Sequence, residues 1–134
     1  MNRKILIVDD DKDLVASLAQ VLRVKGYEVA EAYSAAEGLK AVLAEKPGLL
    51  ILDVMMETDT AGFEAAYQIR NARPTSRYRE FREIPIIILT AINQVTHSRF
   101  SFDPSENFLP GVEDFLTKPV DLDDLVARVA RLLS

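Results

Sequence analysis

The sequence predicts an α/β fold in which a five-stranded parallel sheet lies between two layers of helices. Short apolar runs without internal alternation are typical of strands that are buried on both faces. Segments of helical periodicity separate these runs. Such alternation of strand and helix favours right-handed crossovers, and therefore a parallel sheet with helices on both faces.

Four apolar runs are predicted as buried strands, because turn residues or charged residues bound each of them. They cover residues 4–8, 49–52, 86–89 and 115–116. A fifth segment, residues 27–32, alternates weakly between apolar and polar side chains. This pattern predicts a strand at an edge of the same sheet.

Three helices are predicted from apolar residues that recur every three or four positions. The first ends at Gly26, where a glycine just beyond the helix would stop it. The second begins at a capping box formed by Ser34 and Glu37 and stops at Pro47. The last is capped by Asp121. Its apolar stripe consists of Leu122, Leu125, Val126, Val129, Leu132 and Leu133.

Two connections are long enough to be candidate lids or docking loops. Residues 71–83 are rich in arginine, and we interpret them as a solvated or partner-facing surface rather than a nucleic-acid site. Residues 92–112 show no clear helical period. They include His97, expected to be merely exposed, and three predicted packing anchors: Phe100, Phe102 and Phe108.

Composition limits the possible functions. The chain has 134 residues, of which 49% are hydrophobic, and we expect residues 1–134 to form one domain. A net charge of −5 disfavours direct binding to nucleic acid or to an anionic membrane. Cysteine is absent, which excludes thiol chemistry and agrees with a cytoplasmic location.

Polar residues follow the predicted strands where each of them ends. Because the carboxyl ends of parallel strands meet at one edge of a sheet, these side chains are expected to converge. Carboxylates 4 Å apart repel one another by about 4 kcal/mol, which a divalent cation would relieve. Oxygen ligands without histidine or cysteine favour Mg²⁺, or Mn²⁺. The converging residues are Asp9, Asp10, Asp11, Asp53, Thr90 and Lys118.

This set contains a candidate for each role in phosphoryl transfer. Asp53 could act as the nucleophile, while Lys118 and Thr90 supply positive charge and a donor to the phosphoryl oxygens. The acids at positions 9–11, taken alone, are equally typical of a helix N-terminus. Their register with the other three residues favours the functional interpretation.

The chain resembles, from end to end, the receiver domain of bacterial two-component response regulators. The resemblance is carried by the acidic pair Asp9-Asp10, by Asp53, by Thr90-Ala91 and by Lys118-Pro119, each after its strand. It implies a flavodoxin-like doubly wound sheet of strand order 2-1-3-4-5. It also implies that a histidine kinase or histidine phosphotransfer protein is the phosphodonor, and that the output is an unknown downstream protein.

The resemblance also assigns roles to individual residues. It makes Asp53 the phosphorylation site, and Asp10, Asp53 and the main-chain carbonyl of Met55 metal ligands, with Asp9 holding water on the metal. Thr90 and Lys118 would hold phosphoryl oxygens, and Phe115 would be an aromatic switch. The protein would not be an enzyme, but a phosphoacceptor that assists its own phosphorylation and dephosphorylation.

The sequence departs from the family pattern near the site. Met56-Glu57 stands where a Met-Pro pair is usual, and Gly62 lies one residue late, so the loop beside the metal is expected to be reshaped. The connections at residues 71–83 and 92–112 are also longer than usual, which affects the expected output surface.

The sequence disfavours two other functions and leaves a third as an alternative. A phosphatase of the haloacid-dehalogenase type needs a second aspartate two residues after the nucleophile, where Met55 stands. A flavin carrier needs hydroxyls and glycines in the first turn after a strand, where the acids at positions 9–11 would repel phosphate. A degenerate receiver that serves only as a protein-protein interaction module is the remaining alternative.

Overall fold

The computed structural model describes residues 2–91 and 114–133 and confirms the predicted α/β architecture. The predicted connection at 92–112, with His97 and its three phenylalanines, lies outside these residues. The elements in chain order are β1 (Lys4–Val8), α1 (Lys12–Val24), β2 (Glu28–Ala32), α2 (Ala35–Glu45), β3 (Leu49–Asp53), α3 (Ala61–Arg70), a 3₁₀ helix (Arg79–Phe81), β4 (Ile86–Ala91), β5 (Asp114–Lys118) and α4 (Leu122–Leu132).

The strands form one parallel sheet of order β2-β1-β3-β4-β5, as the resemblance implies. β2 lies at an edge, as its weak alternation predicts. It begins at Glu28 rather than Tyr27, because Tyr27 closes the end of α1: its N–H donates to Leu22 O, and that of Gly26 donates to Arg23 O. Gly26 has φ 96°, and this C-terminal turn confirms the predicted glycine stop.

The sheet separates two apolar cores. Alternate residues of each inner strand point to opposite sides, so Leu6 and Val8 contribute to the core beside α2 and α3. Ile5 and Ile7 contribute to the core beside α1 and α4. Burial on both sides explains why the strand sequences are apolar throughout. In the described part of the chain, no helix combines the length and apolar character needed to span a bilayer.

The predicted helix starts are confirmed at three positions. The side chains of Asp11, Ser34 and Asp121 accept hydrogen bonds from the N–H groups three residues later, at 3.1 Å in each case. α2 ends at Glu45, just before Pro47. The apolar stripe of α4 is confirmed at Leu125 and Val129, which are buried, but Leu122 is exposed at the helix start.

Three of the four arginines at residues 71–83 are exposed, as the predicted solvated surface requires, but the segment also packs against the core. Tyr78 and Phe81 are buried, and they anchor the segment to the core beside α3. Arg82 donates hydrogen bonds to the carbonyls of Asn71 and Arg73, and Arg70 donates to Arg82 O at 2.7 Å. Arg70 and Arg82 therefore satisfy main-chain carbonyls and hold the loop in shape.

Candidate metal and phosphoryl site

Strand register brings the predicted site residues to one edge of the sheet. Asp9 follows the last residue of β1, and Asp53 ends β3 beside Leu89. Thr90 is the next residue of β4, and Lys118 ends β5 opposite Ala91. The structure therefore confirms that these side chains leave adjacent strands at their carboxyl ends.

Three carboxylates form a compact cluster. One oxygen from each of Asp9, Asp10 and Asp53 lies within 4.8 Å of the other two. Asp9 and Asp53 are buried, whereas Asp10 is exposed at the rim. Lys118 Nζ lies 2.9 Å from Asp9 Oδ2 and 3.3 Å from Asp53 Oδ1, so one cation faces three acids.

One oxygen of Asp9 retains unused capacity as a ligand. Asp9 Oδ1 accepts a hydrogen bond from Asp11 N at 3.0 Å. Asp9 Oδ2 is buried and receives no aligned hydrogen bond from the described residues. Its contact with Lys118 has the distance of an ion pair but lacks the direction of a hydrogen bond. A buried oxygen of this kind fits a bound cation or its water.

The charge balance of the cluster shifts its pKa values. Burial and the charge of Asp9 raise the pKa of Asp53 to about 7, although Lys118 acts in the opposite direction. Burial and Asp9 also raise the pKa of Asp10. Burial would lower the pKa of Lys118, but its ionic interactions with Asp9 and Asp53 outweigh burial and raise it. The cluster thus holds more negative charge than Lys118 can neutralise.

Asp11 is separate from this cluster. Its side chain accepts a hydrogen bond from Leu14 N and caps α1. The acidic run at positions 9–11 is therefore divided between two structural settings. Asp9 and Asp10 belong to the carboxylate cluster, and Asp11 belongs to the helix.

Three further residues are predicted for this site, namely Thr90, Met55 and Phe115. Thr90 is buried, and its hydroxyl donates a long 3.4 Å hydrogen bond to Ala91 O. The side chain of Met55 is 40% exposed in the loop between β3 and α3, and its carbonyl as a ligand stays a prediction. Phe115 is partly buried against the core beside α2 and α3. Its role as a switch also stays a prediction.

Two contacts at or beside the β3–α3 loop were not predicted. Gly62 approaches the end of β3 so closely that a Cβ built on it would lie 1.9 Å from Asp53 O. Glu57 accepts hydrogen bonds from Ala35 N at 2.8 Å and Ala36 N at 3.0 Å. Burial opposes the charged form, but these two N–H groups outweigh it and lower the pKa of Glu57. The sequence signalled both residues only as departures from the family pattern.

Comparison with known proteins agrees with this geometry. Residues 5–130 match the family described as the response regulator receiver domain. Response regulator MprA of Mycobacterium ulcerans (strain Agy99) is 34% identical over 133 residues, which are 99% of this chain and 51% of that protein. RpaA of Synechocystis sp. (strain ATCC 27184 / PCC 6803 / Kazusa), named a DNA-binding dual master transcriptional regulator, is 32% identical over 97% of this chain and 48% of its own.

Solved structures give the same result. A crystal structure described as a response regulator from Chloroflexus aurantiacus J-10-fl has a TM-score of 0.78 and 32% identity, and the match covers 99% of this chain and 98% of that one. A CheY-like receiver domain protein from Methanospirillum hungatei JF-1 has a TM-score of 0.73 and 29% identity, over 98% and 93%.

The chain belongs to the response regulator receiver domain family of two-component signalling. It spans about half the length of the curated relatives that it matches.

Proposed function

We propose that this chain is a phosphoacceptor in which Asp53 receives a phosphoryl group from a histidine kinase or a histidine phosphotransfer protein. The observation that carries the proposal is the cluster of Asp9, Asp10 and Asp53, with Lys118 Nζ placed against two of its members. We further propose that the phosphorylated form differs from the free form in its affinity for a downstream protein.

The donor set fits a hard divalent cation. The cluster offers only oxygen ligands, and the raised pKa of Asp53 indicates negative charge that Lys118 does not fully compensate. We propose Mg²⁺, with Mn²⁺ as a substitute, held by Asp10, Asp53 and the carbonyl of Met55, with Asp9 holding water on the metal. When bound, the cation would offset the charge of the carboxylates and of the incoming phosphoryl group.

The transfer is a displacement at phosphorus. A carboxylate oxygen of Asp53 forms a bond to phosphorus as the bond from phosphorus to the donor histidine nitrogen breaks, and the electron pair of that bond stays on the nitrogen. Lys118 donates to one phosphoryl oxygen. Thr90 exchanges its long hydrogen bond with Ala91 O for a second phosphoryl oxygen. The chain in this way assists its own phosphorylation and, with water as the acceptor, its dephosphorylation.

The remaining proposals concern partners and location. We propose that residues 1–134 act as one receiver domain in the cytoplasm, without direct contact to nucleic acid or membrane. The net charge of −5 supports the absence of contact with nucleic acid and anionic membrane. The DNA-binding role stated for RpaA applies to a protein about twice as long as the matched segment.

Acetyl phosphate provides the direct test, because a small donor needs only the pocket of the receiver itself. Incubation with acetyl phosphate and Mg²⁺ should add one base-labile phosphoryl group, detected by mass spectrometry of the intact protein. Asp53→Asn should abolish the adduct, and EDTA should prevent it. Asp59→Asn, at an exposed aspartate of the same loop, is the matched control and should leave the adduct unchanged.

The results separate the two functional interpretations. An adduct that persists in Asp53→Asn would contradict the assignment of Asp53. No adduct in the parent chain, with either acetyl phosphate or a panel of phosphorylated histidine kinases, would favour the degenerate receiver that serves only as an interaction module.

A further inference from the structure

Glu57 connects two parts of the chain that are distant in sequence. It lies in the β3–α3 loop, and its two carboxylate oxygens accept hydrogen bonds from Ala35 N and Ala36 N in the first turn of α2. Both are charge-assisted bonds of good length, at 2.8 Å and 3.0 Å. These bonds therefore join the β3–α3 loop, which follows Asp53, to the N-terminus of α2.

The helix end shows why this contact is specific. The first N–H groups of a helix have no partner within the helix itself. The hydroxyl of Ser34 accepts from Glu37 N, and Gly38 N donates to Ser34 O within α2. Ala35 N and Ala36 N lie between these two bonds, and Glu57 supplies their acceptors. The positive end of the helix dipole further favours a carboxylate here.

The predicted metal ligand Met55 lies two residues before Glu57 in the same loop. Val54 N donates to Leu89 O at 3.1 Å, and Met56 N donates to Thr58 O at 3.1 Å. The bonds from Glu57 to α2 then fix the loop at the residue after Met56. We propose, on the basis of the proposed function, that Glu57 is a positioning residue: its bonds to α2 hold the main-chain carbonyl of Met55 in place for Mg²⁺.

A matched pair of variants tests this proposal. Glu57→Ala removes the tether. Glu37→Ala removes another carboxylate from the same helix end. Within residues 2–91 and 114–133, this carboxylate accepts a long 3.4 Å bond from Tyr33 N and makes no bond to the β3–α3 loop. Mg²⁺ affinity is measured by isothermal titration calorimetry. The rate of phosphorylation by acetyl phosphate is measured across Mg²⁺ concentrations.

We expect Glu57→Ala to raise the Mg²⁺ dissociation constant about tenfold, as is common for residues that orient metal ligands. The half-saturating Mg²⁺ concentration for phosphorylation should rise equally, while the rate at saturating Mg²⁺ stays within about twofold of the parent. Glu37→Ala should change neither by more than about twofold. The difference in Mg²⁺ dissociation constant between the two variants should persist at about 0.5 M salt, where long-range effects of the lost charge are screened.

Amide hydrogen exchange tests the tether without reference to phosphorylation. The amides of Ala35 and Ala36 should exchange slowly in the parent chain and faster in Glu57→Ala. Faster exchange with unchanged Mg²⁺ affinity would make Glu57 a helix cap only and would overturn the inference, as would unprotected amides in the parent. A parent chain that neither binds Mg²⁺ nor accepts a phosphoryl group would overturn the proposed function, and the inference with it.

Discussion

Lys118 Nζ lies 2.9 Å from Asp9 Oδ2 on a side chain that is fully buried, and it is within ion-pair distance of Asp53 as well. A single lysine thus joins the acidic end of β1 to the proposed nucleophile at the end of β3. Its charge would compete with a cation for the same carboxylates, but would assist a phosphoryl group that approaches Asp53. Loss of Lys118 and loss of Asp10 should therefore have different effects on Mg²⁺ affinity.

Removal of Asp10 should weaken Mg²⁺ binding and phosphorylation together. Asp10→Asn is expected to raise the Mg²⁺ dissociation constant about tenfold or more, because it removes a charged ligand at the rim of the cluster. Lys118→Met should leave Mg²⁺ affinity unchanged or tighter, yet slow phosphorylation by acetyl phosphate about a hundredfold. Calorimetric Mg²⁺ titration and phosphorylation rates at saturating Mg²⁺ measure both. Equal loss of metal affinity in the two variants would contradict this division of roles.

Asp53→Asn should stabilise the metal-free protein in a pH-dependent way. The folded-state pKa of Asp53 is about 7, against an ordinary value of 3.8, so the folded state binds this proton more tightly than the unfolded state. The contribution of Asp53 to stability is therefore lost as pH rises from about 4 to about 7. The gain in the variant should grow across that window and then level off, with an upper bound of about 4 kcal/mol.

Urea denaturation in EDTA at several pH values measures this gain. Asp59→Asn, at an exposed position outside the cluster, should show no comparable trend. At saturating Mg²⁺ the parent should become more stable to urea than Asp53→Asn, since only the parent retains the full set of charged ligands. A stability difference between parent and Asp53→Asn that does not change with pH would show that the acids are already compensated.

The strands and the site residues were predictable because both depend on local pattern. Apolar runs identify strands that are buried on both faces, and the residue after each run must lie at the same edge of a parallel sheet. The sequence could not separate Asp9 and Asp10 from Asp11, since that difference is the direction of each side chain at the start of α1.

α3 was not predicted, for a physical reason. Thr60 makes no side-chain cap, and small residues such as Ala65 and Ala66 form much of the buried face, so the sequence shows little amphipathic contrast there. In the sequence, Glu57 is distinguished only by its departure from the usual Met-Pro pair of the family. Its partners are main-chain N–H groups some twenty residues earlier in the chain, and no side-chain pattern marks such groups.

Gly62→Ala should displace the main chain of Asp53. The added Cβ would lie 1.9 Å from Asp53 O, a main-chain atom that cannot rotate away. We expect a loss of about 2 kcal/mol in the free energy of unfolding and a phosphorylation rate at least about tenfold lower, because small displacements of a reacting group are costly. Gly38→Ala is the control. Its Cβ would contact Val8 methyl groups at 2.8 Å and 2.9 Å, so it should destabilise the fold without a comparable loss of rate.

The junction between β5 and α4 should depend more on Arg128 than on Arg131. Arg128 donates to both Asp114 and Asp124 and is 27% exposed, whereas Arg131 donates to Asp114 and is 65% exposed. Hydrogen bonds to Asp124 raise the pKa of Arg128 despite burial, and Asp114 adds to this. Arg128→Met should lower the free energy of unfolding by about 1 kcal/mol, and Arg131→Met by less than about 0.5 kcal/mol. Urea denaturation at low and high salt measures both, and equal losses would mean that exposure does not set the strength of this cluster.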